Sequence, residues 1–180
     1  MRTPYQALPT ASLQRALPVV VALTAALAVY LRAQGGRLEH PAAPYGIISY
    51  EFCWSLERAQ EMIRGWSGQE DAVRLQIWAD MPFLMLYPAL FSILCELGLR
   101  RARSGGPPWA QRAGAWAVWV AWGMAPLDLA ENLLLLRLLE PTAQAWMAPT
   151  ASACATVKFA ILGGVLVYLV ASALASRLRP

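Results

Sequence analysis

The chain has 180 residues, 58% hydrophobic and 14% charged, with mean hydropathy +0.42. Soluble domains carry about 25% charged residues, so these proportions exclude a disordered chain and an ordinary water-facing globule. The net charge of +4 does not signal a nucleic-acid partner, because the basic residues stand singly or in one short run at the edges of apolar stretches, the pattern of a membrane protein rather than of a basic patch.

In chain order, the first apolar stretch predicts a membrane span over about 17–32. Arg2 and Arg15 before it also fit a signal peptide, but Arg32 and Gln34 spoil a small-residue cleavage site, and the reading is an uncleaved helix. A loop over about 33–74 follows, broken by Gly35-Gly36, Pro41 and Pro44. Within it Ser55 is expected to cap a short helix, with Glu57 in its first turn. Phe52, Ala59, Met62, Ile63 and Trp66 give that helix an apolar side against Arg58, Glu61 and Arg64, so it is expected on the membrane or over the bundle mouth. Ser67-Gly68-Gln69-Glu70 reads as a capping box opening the second span, about 75–99. Ser104 to Pro108 is a turn. The third span is predicted over about 113–136, between Arg112 and Arg137. The fourth covers about 153–176, its start open between Thr150 and Phe159.

The predicted fold is an all-α membrane protein, one integral domain over 1–180, built as a four-transmembrane-helix bundle with an outer-side amphipathic helical loop. Arg2, Arg15, Arg100, Arg101, Arg103, Arg112, Arg177 and Arg179 all fall on one side of four spans, which places both termini in the cytoplasm. Lys158 is the only lysine, and the Arg and Ala bias hints at a GC-rich bacterial genome; the spans and their basic loops predict an integral protein of the cytoplasmic (inner) membrane.

Three cysteines, Cys53, Cys95 and Cys154, with no C-x-x-C, exclude a disulfide framework and a zinc ribbon. The single histidine, His40, and the lack of H-E-x-x-H, P-loop or G-x-G-x-x-G patterns predict no protein-held metal and no cofactor.

Ionisable residues inside a span cost roughly 2.5–3.5 kcal/mol each on insertion scales, so they mark the bundle interior or a wet cavity. Asp80, Asp128, Glu131 and Lys158 all fall in the outer half of the predicted spans. Glu96 lies at the inner end, four residues before Arg100, and reads as a stabilising i,i+4 pair. On the third span Ala117, Ala121 and Ala125 form a small-residue seam with Asp128 on nearly the same face, while Trp116, Trp119 and Trp122 point elsewhere. Asp128 is therefore expected to point inward, with Glu131 and Asn132 one turn along. On the second span Asp80 shares a face with Gln76, Leu84, Tyr87 and Phe91, and Tyr87 can hydrogen-bond into the same cavity. Pro82 and Pro126 each free a helix carbonyl two residues from a carboxylate, as in the broken helices of transporter sites. Asp80, Asp128 and Glu131 against Lys158 leave about two negative charges, which calls for a shared proton, a bound cation or a cationic ligand.

The pattern Gly46-Ile47-Ile48 with Glu51, Asp80-x-x-Phe83, Tyr87, Asp128-x-x-Glu131-Asn132 and Lys158 resembles a set of small four-span bacterial membrane proteins of unknown function. The resemblance covers most of the chain beyond the first span. It implies that Glu51 belongs with the intramembrane group, and it implies no activity. Four spans with cytoplasmic termini and acidic residues near a cavity are also seen in the sterol-isomerase and sigma-2-receptor-like superfamily. None of that group's sequence signatures is present, so the likeness is one of architecture alone.

Three functions compete. In the first, Asp80, Asp128 and Glu131 are catalytic or ligand-holding carboxyls, with Glu51, Tyr87, Asn132 and Lys158 as binding residues for a membrane lipid or another amphipathic small molecule. In the second, the cluster couples protons or cations to transport. In the third, the chain is a non-catalytic subunit or scaffold, with Thr156, Ala160 and Gly164 as a seam for a partner, including a second copy of itself. A lateral cavity at the carboxylates favours the first, a water path past Glu96 the second, and a filled bundle with every carboxyl paired the third.

Overall fold

The computed structural model describes residues 1–177, and the side chains of residues 1–176. Arg179 and the Arg177 side chain, both counted above as basic markers, lie outside the described residues. Among those described, all regular structure is helical: α1 (Thr10–Gly35), a short 3-10 turn (Gly36–Leu38), α2 (Ile47–Glu51), α3 (Leu56–Gly65), α4 (Glu70–Arg103), α5 (Pro108–Trp122), α6 (Met124–Leu138) and α7 (Met147–Arg177). Three stretches are long and apolar enough to cross a membrane: Thr10–Leu38, Glu70–Arg103 and Met147–Ser176.

The third apolar stretch differs from its expected form. It is two helices, α5 and α6, parted at Gly123. Pro126 has no N–H to offer the carbonyl of Trp122, and its ring crowds that carbonyl. Gly123, a poor helix former, sits at the same point. Its N–H turns back to Val120 O (2.9 Å), a tightened final turn. α4 contains Pro82 and Pro88 and is nevertheless continuous, so the break expected at Pro82 does not occur there. Met81 and Phe83 flank Pro82, Tyr87 and Ala89 flank Pro88, and no glycine adds to the defect.

Two other boundaries move. The Ser67 capping box does not open α4: Gly68 takes φ +79°, and the helix starts at Glu70 with Gln69 O accepting from Ala72 and Val73. α7 begins at Met147, so Lys158 lies about 16 Å along that helix rather than at its boundary. The turn before α5 matches expectation, with Pro108 in the first helical position, where its missing N–H costs nothing.

The described chain forms two compact units. The first gathers Met1–Thr24, Met85–Met124 and the chain from Phe159 onward. Here Arg100 ties the N-terminal segment down, donating to the carbonyls of Tyr5 (2.7 Å) and Leu8 (2.9 Å) and to Thr10 Oγ1 (3.0 Å) while paired with Glu96 (2.7 Å). The Trp119 indole N–H donates to Arg2 O (3.0 Å). Ala117 and Ala121 are buried, and Trp116 and Trp119 are exposed, as the seam on α5 predicts.

The second unit gathers Ala25–Leu84 and Ala125–Lys158. Its core is formed by Leu38, Tyr50, Met62, Trp66, Ile77 and Leu135, among others. The 33–74 loop is thus folded into this core. Ser55 caps α3 by accepting from Arg58 N (3.2 Å), and Ala59 and Met62 are buried. Phe52, expected on the same apolar side, instead ends α2 and is half-buried. Trp66 donates its indole N–H to Leu38 O (2.7 Å) and meets the Tyr50 and His40 rings edge-on. A Cβ at Gly65 would stand within 2.6 Å of the His40 ring atoms, so only glycine lets that ring in.

Candidate functional site

Two contacts aim Glu51. The Tyr50 hydroxyl donates to Leu135 O on α6 (3.2 Å). The Trp54 N–H donates to Ser152 Oγ on α7 (3.0 Å), and Trp54 takes a left-handed φ of +54° to do so. Between these anchors, the Glu51 carboxylate comes to 3.7 Å from Lys158 Nζ.

Lys158 is the hub. Its Nζ lies 2.8 Å from Asp128 Oδ1 and 2.8 Å from Glu131 Oε2. Asp128 is 2% exposed, Glu131 0% and Lys158 8%, so the ammonium and its nearest carboxylates have given up nearly all hydration. Asn132 donates from Nδ2 to Asp80 Oδ2 (2.8 Å), which joins α4 to α6. Asp80 is the half-buried member, beside exposed Trp78 and Pro82. All six of these residues belong to the second unit. Tyr87 is buried on α4 but belongs to the first unit.

The cluster is unbalanced. Glu51, Asp128 and Glu131 face one ammonium, and Asp80 adds a fourth carboxyl on Asn132. The Glu51 and Glu131 carboxyls are within hydrogen-bonding reach of each other. Glu131 Oε1 is buried with no donor of its own. Burial is the largest influence on Glu51 and pushes its acid dissociation above the usual carboxylate range; the Lys158 charge pulls it back only in part. A buried carboxyl that must face another carboxyl is the setting in which one proton is held between two groups. Among the described residues, no three His, Cys, Asp or Glu side chains converge as a metal site.

Two cavities are described, and neither is lined by a cluster residue, so the lateral cavity expected at the carboxylates is not among them. One, of about 130 Å³, lies beside Gln76, whose Nε2 donates to Leu31 O (2.9 Å). The other belongs to the first unit. The residues that position Glu51, namely Tyr50, Trp54 and Ser152, are absent from the sequence reading. Their bonds span 85 and 98 residues, beyond any local periodicity. The aromatic content of a nominally polar loop was the one available signal.

Compared with known proteins, the chain matches no family model, no curated protein and no solved structure.

Proposed function

We propose that the chain is an integral protein of a bacterial inner membrane whose carboxylate–lysine cluster exchanges a proton in step with binding a small amphipathic or cationic molecule. Three helices long and apolar enough to cross a bilayer support this reading. A fourth crossing would be drawn from the apolar stretch that forms α5 and α6, each about 22 Å long. The arginine-rich end of α4 then faces the cytoplasm with both termini, and the 33–74 loop caps the opposite side.

One observation carries the proposal: three carboxyls, Glu51, Asp128 and Glu131, lie within 3.7 Å of a single ammonium, and a fourth, Asp80, is tied to the same group through Asn132. At least one carboxyl must hold a proton until a cation replaces it. Asp80 is the entry point, because it is half-buried on α4 next to the exposed Trp78 and Pro82. A cationic amphiphile arriving there supplies the missing positive charge and displaces the proton. Asp128 and Lys158 keep each other charged, Asn132 orients Asp80, and Glu51 with Glu131 stores the proton. Whether the exchange serves transport or chemistry on the bound molecule is a second step beyond the same site.

The test uses dodecyltrimethylammonium, a cation with no proton of its own, added to the full chain in weakly buffered nanodiscs carrying a pH-sensitive dye. Wild type is expected to release protons on addition, and Asp80→Asn and Glu131→Gln are expected to release several-fold less. Equal release from all three, or none from wild type, overturns the proposal.

A scaffold contribution has its own support. Thr156, Ala160 and Gly164 are exposed on α7, and a Cβ at Gly163 or Gly164 would meet nothing within 4 Å. Small-residue faces of this kind admit a second helix closely, and the proposed occupant is a second copy of this chain. Gly164→Leu is expected to shift the detergent-solubilised protein to a smaller species; an unchanged mass removes this face from consideration.

A further inference from the structure

We infer that the first unit holds a glycerophospholipid site centred on Arg101, distinct from the carboxylate cluster and independent of its proposed role. The larger cavity, about 640 Å³, lies wholly within that unit. Ligand pockets commonly run from about 300 to 1,000 Å³, so the space suits a headgroup together with the first part of its acyl chains. Leu17, Leu94, Leu97 and Leu169 form an apolar wall contributed by α1, α4 and α7. The polar wall holds Arg101 and the hydroxyls of Ser104, Ser172 and Ser176, and among the described residues no acidic side chain lines the cavity.

The arginines at this end of α4 differ in what they are free to do. Arg100 is occupied by Glu96 and by the Tyr5 and Leu8 carbonyls. Arg101 is exposed on the cavity rim and makes no ion pair or hydrogen bond in the described structure. A lone guanidinium beside apolar walls, at the end of a helix long enough to cross a bilayer, recognises a phosphate at headgroup depth. The serines refine the class. Ser104, Ser172 and Ser176 donate their protons to Arg100 O (3.2 Å), Leu169 O (3.1 Å) and Ala173 O (2.7 Å). Their oxygens therefore remain as acceptors. The complementary molecule carries one phosphate for Arg101, donor groups beyond it, such as glycerol hydroxyls, and acyl chains for the leucines. Phosphatidylglycerol has that chemistry.

The full chain, released from detergent micelles into the mass spectrometer, is offered phosphatidylglycerol, diacylglycerol or inorganic phosphate. Wild type is expected to retain phosphatidylglycerol well above the other two. Arg101→Gln is expected to lower the retained fraction about fivefold, since one basic side chain near a lipid surface is worth roughly that factor. Arg101→Lys should recover most of it. Ala173→Phe, which fills the cavity from its wall, should lower retention with the arginine intact. Glu131→Gln should change nothing here, which separates this site from the cluster. Equal retention of diacylglycerol reduces the site to an apolar groove, and equal binding of phosphate reduces it to an ion contact. Unchanged retention in both Arg101→Gln and Ala173→Phe places the lipid elsewhere. Each of these overturns the inference.

Discussion

Each unit buries charge, but they balance it differently. In the first, one carboxylate meets one guanidinium: Glu96 and Arg100, four residues apart on α4. Arg100 spends its other donors on the N-terminal segment. The pair is neutral and holds that segment in place, with Glu96 Oε2 left buried and without a hydrogen-bond partner. In the second unit one ammonium serves Glu51, Asp128 and Glu131, with Asp80 a further carboxyl on Asn132. Neutrality there requires protons or a ligand. A balanced pair reads as structure, and an unbalanced cluster reads as chemistry.

The largest expected effect comes from removing the hub. Lys158→Met strips the ammonium from buried carboxylates, and breaking a buried pair from one side costs about 3–5 kcal/mol. Thermal unfolding in detergent should show that loss, and Lys158→Met with Asp128→Asn should recover part of it. A single variant as stable as wild type breaks the contrast between the units. Arg100→Leu should cost less, about 2–3 kcal/mol, because Glu96 and two carbonyls lose one shared donor. Hydrogen exchange should rise in the segment before Thr10, while proton release from the cluster stays unchanged.

pH gives a sharper probe. Burial raises the pKa of Glu51 above the ordinary carboxyl range, and Lys158 offsets this in part. The folded state therefore binds this proton more tightly than the unfolded chain does. Its contribution to stability is complete below the unfolded value and is lost as pH rises through the raised folded value. Unfolding temperatures taken from mildly acidic to mildly alkaline pH should fall with this slope, and Glu51→Gln should flatten it. A slope that survives in Glu51→Gln belongs to another group. The smallest effect is expected at Gly123→Ala. Gly123 has φ −62°, which alanine adopts freely, and the new Cβ meets Val120 O at 3.0 Å. A change within about 1 kcal/mol is expected, with the α5–α6 break intact because Pro126 causes it. Fusion of the two helices in Gly123→Ala would assign the break to glycine instead.

Much of the site was legible because it is written in helical periodicity. The Ala117, Ala121, Ala125 seam predicts the inward face of Asp128, and Glu131 and Asn132 follow at one turn. The same logic pairs Asp80 with the interior side of α4. Lys158 was ambiguous because an apolar run has no intrinsic start, and only the helix beginning at Met147 takes it off the boundary. Glu51 could not be derived from spacing at all. It ends a five-residue helix whose aim depends on Leu135 and Ser152, far away in the chain. The split of the third span was half visible: Pro126 announced a lost hydrogen bond, but α4 shows that a proline alone does not end a long apolar helix. The two arginines at positions 100 and 101 look alike in sequence, and only their partners tell them apart.

The central claim is that the Glu51–Glu131 pair holds a proton at neutral pH. Infrared difference spectroscopy of the full chain in lipid nanodiscs, wild type against Glu131→Gln, reads this directly through the carbonyl stretch of a protonated carboxyl. The account predicts a protonated-carboxyl band in wild type at neutral pH that weakens in Glu131→Gln and disappears only under alkaline conditions. A spectrum in which every carboxyl is ionised at neutral pH would contradict it.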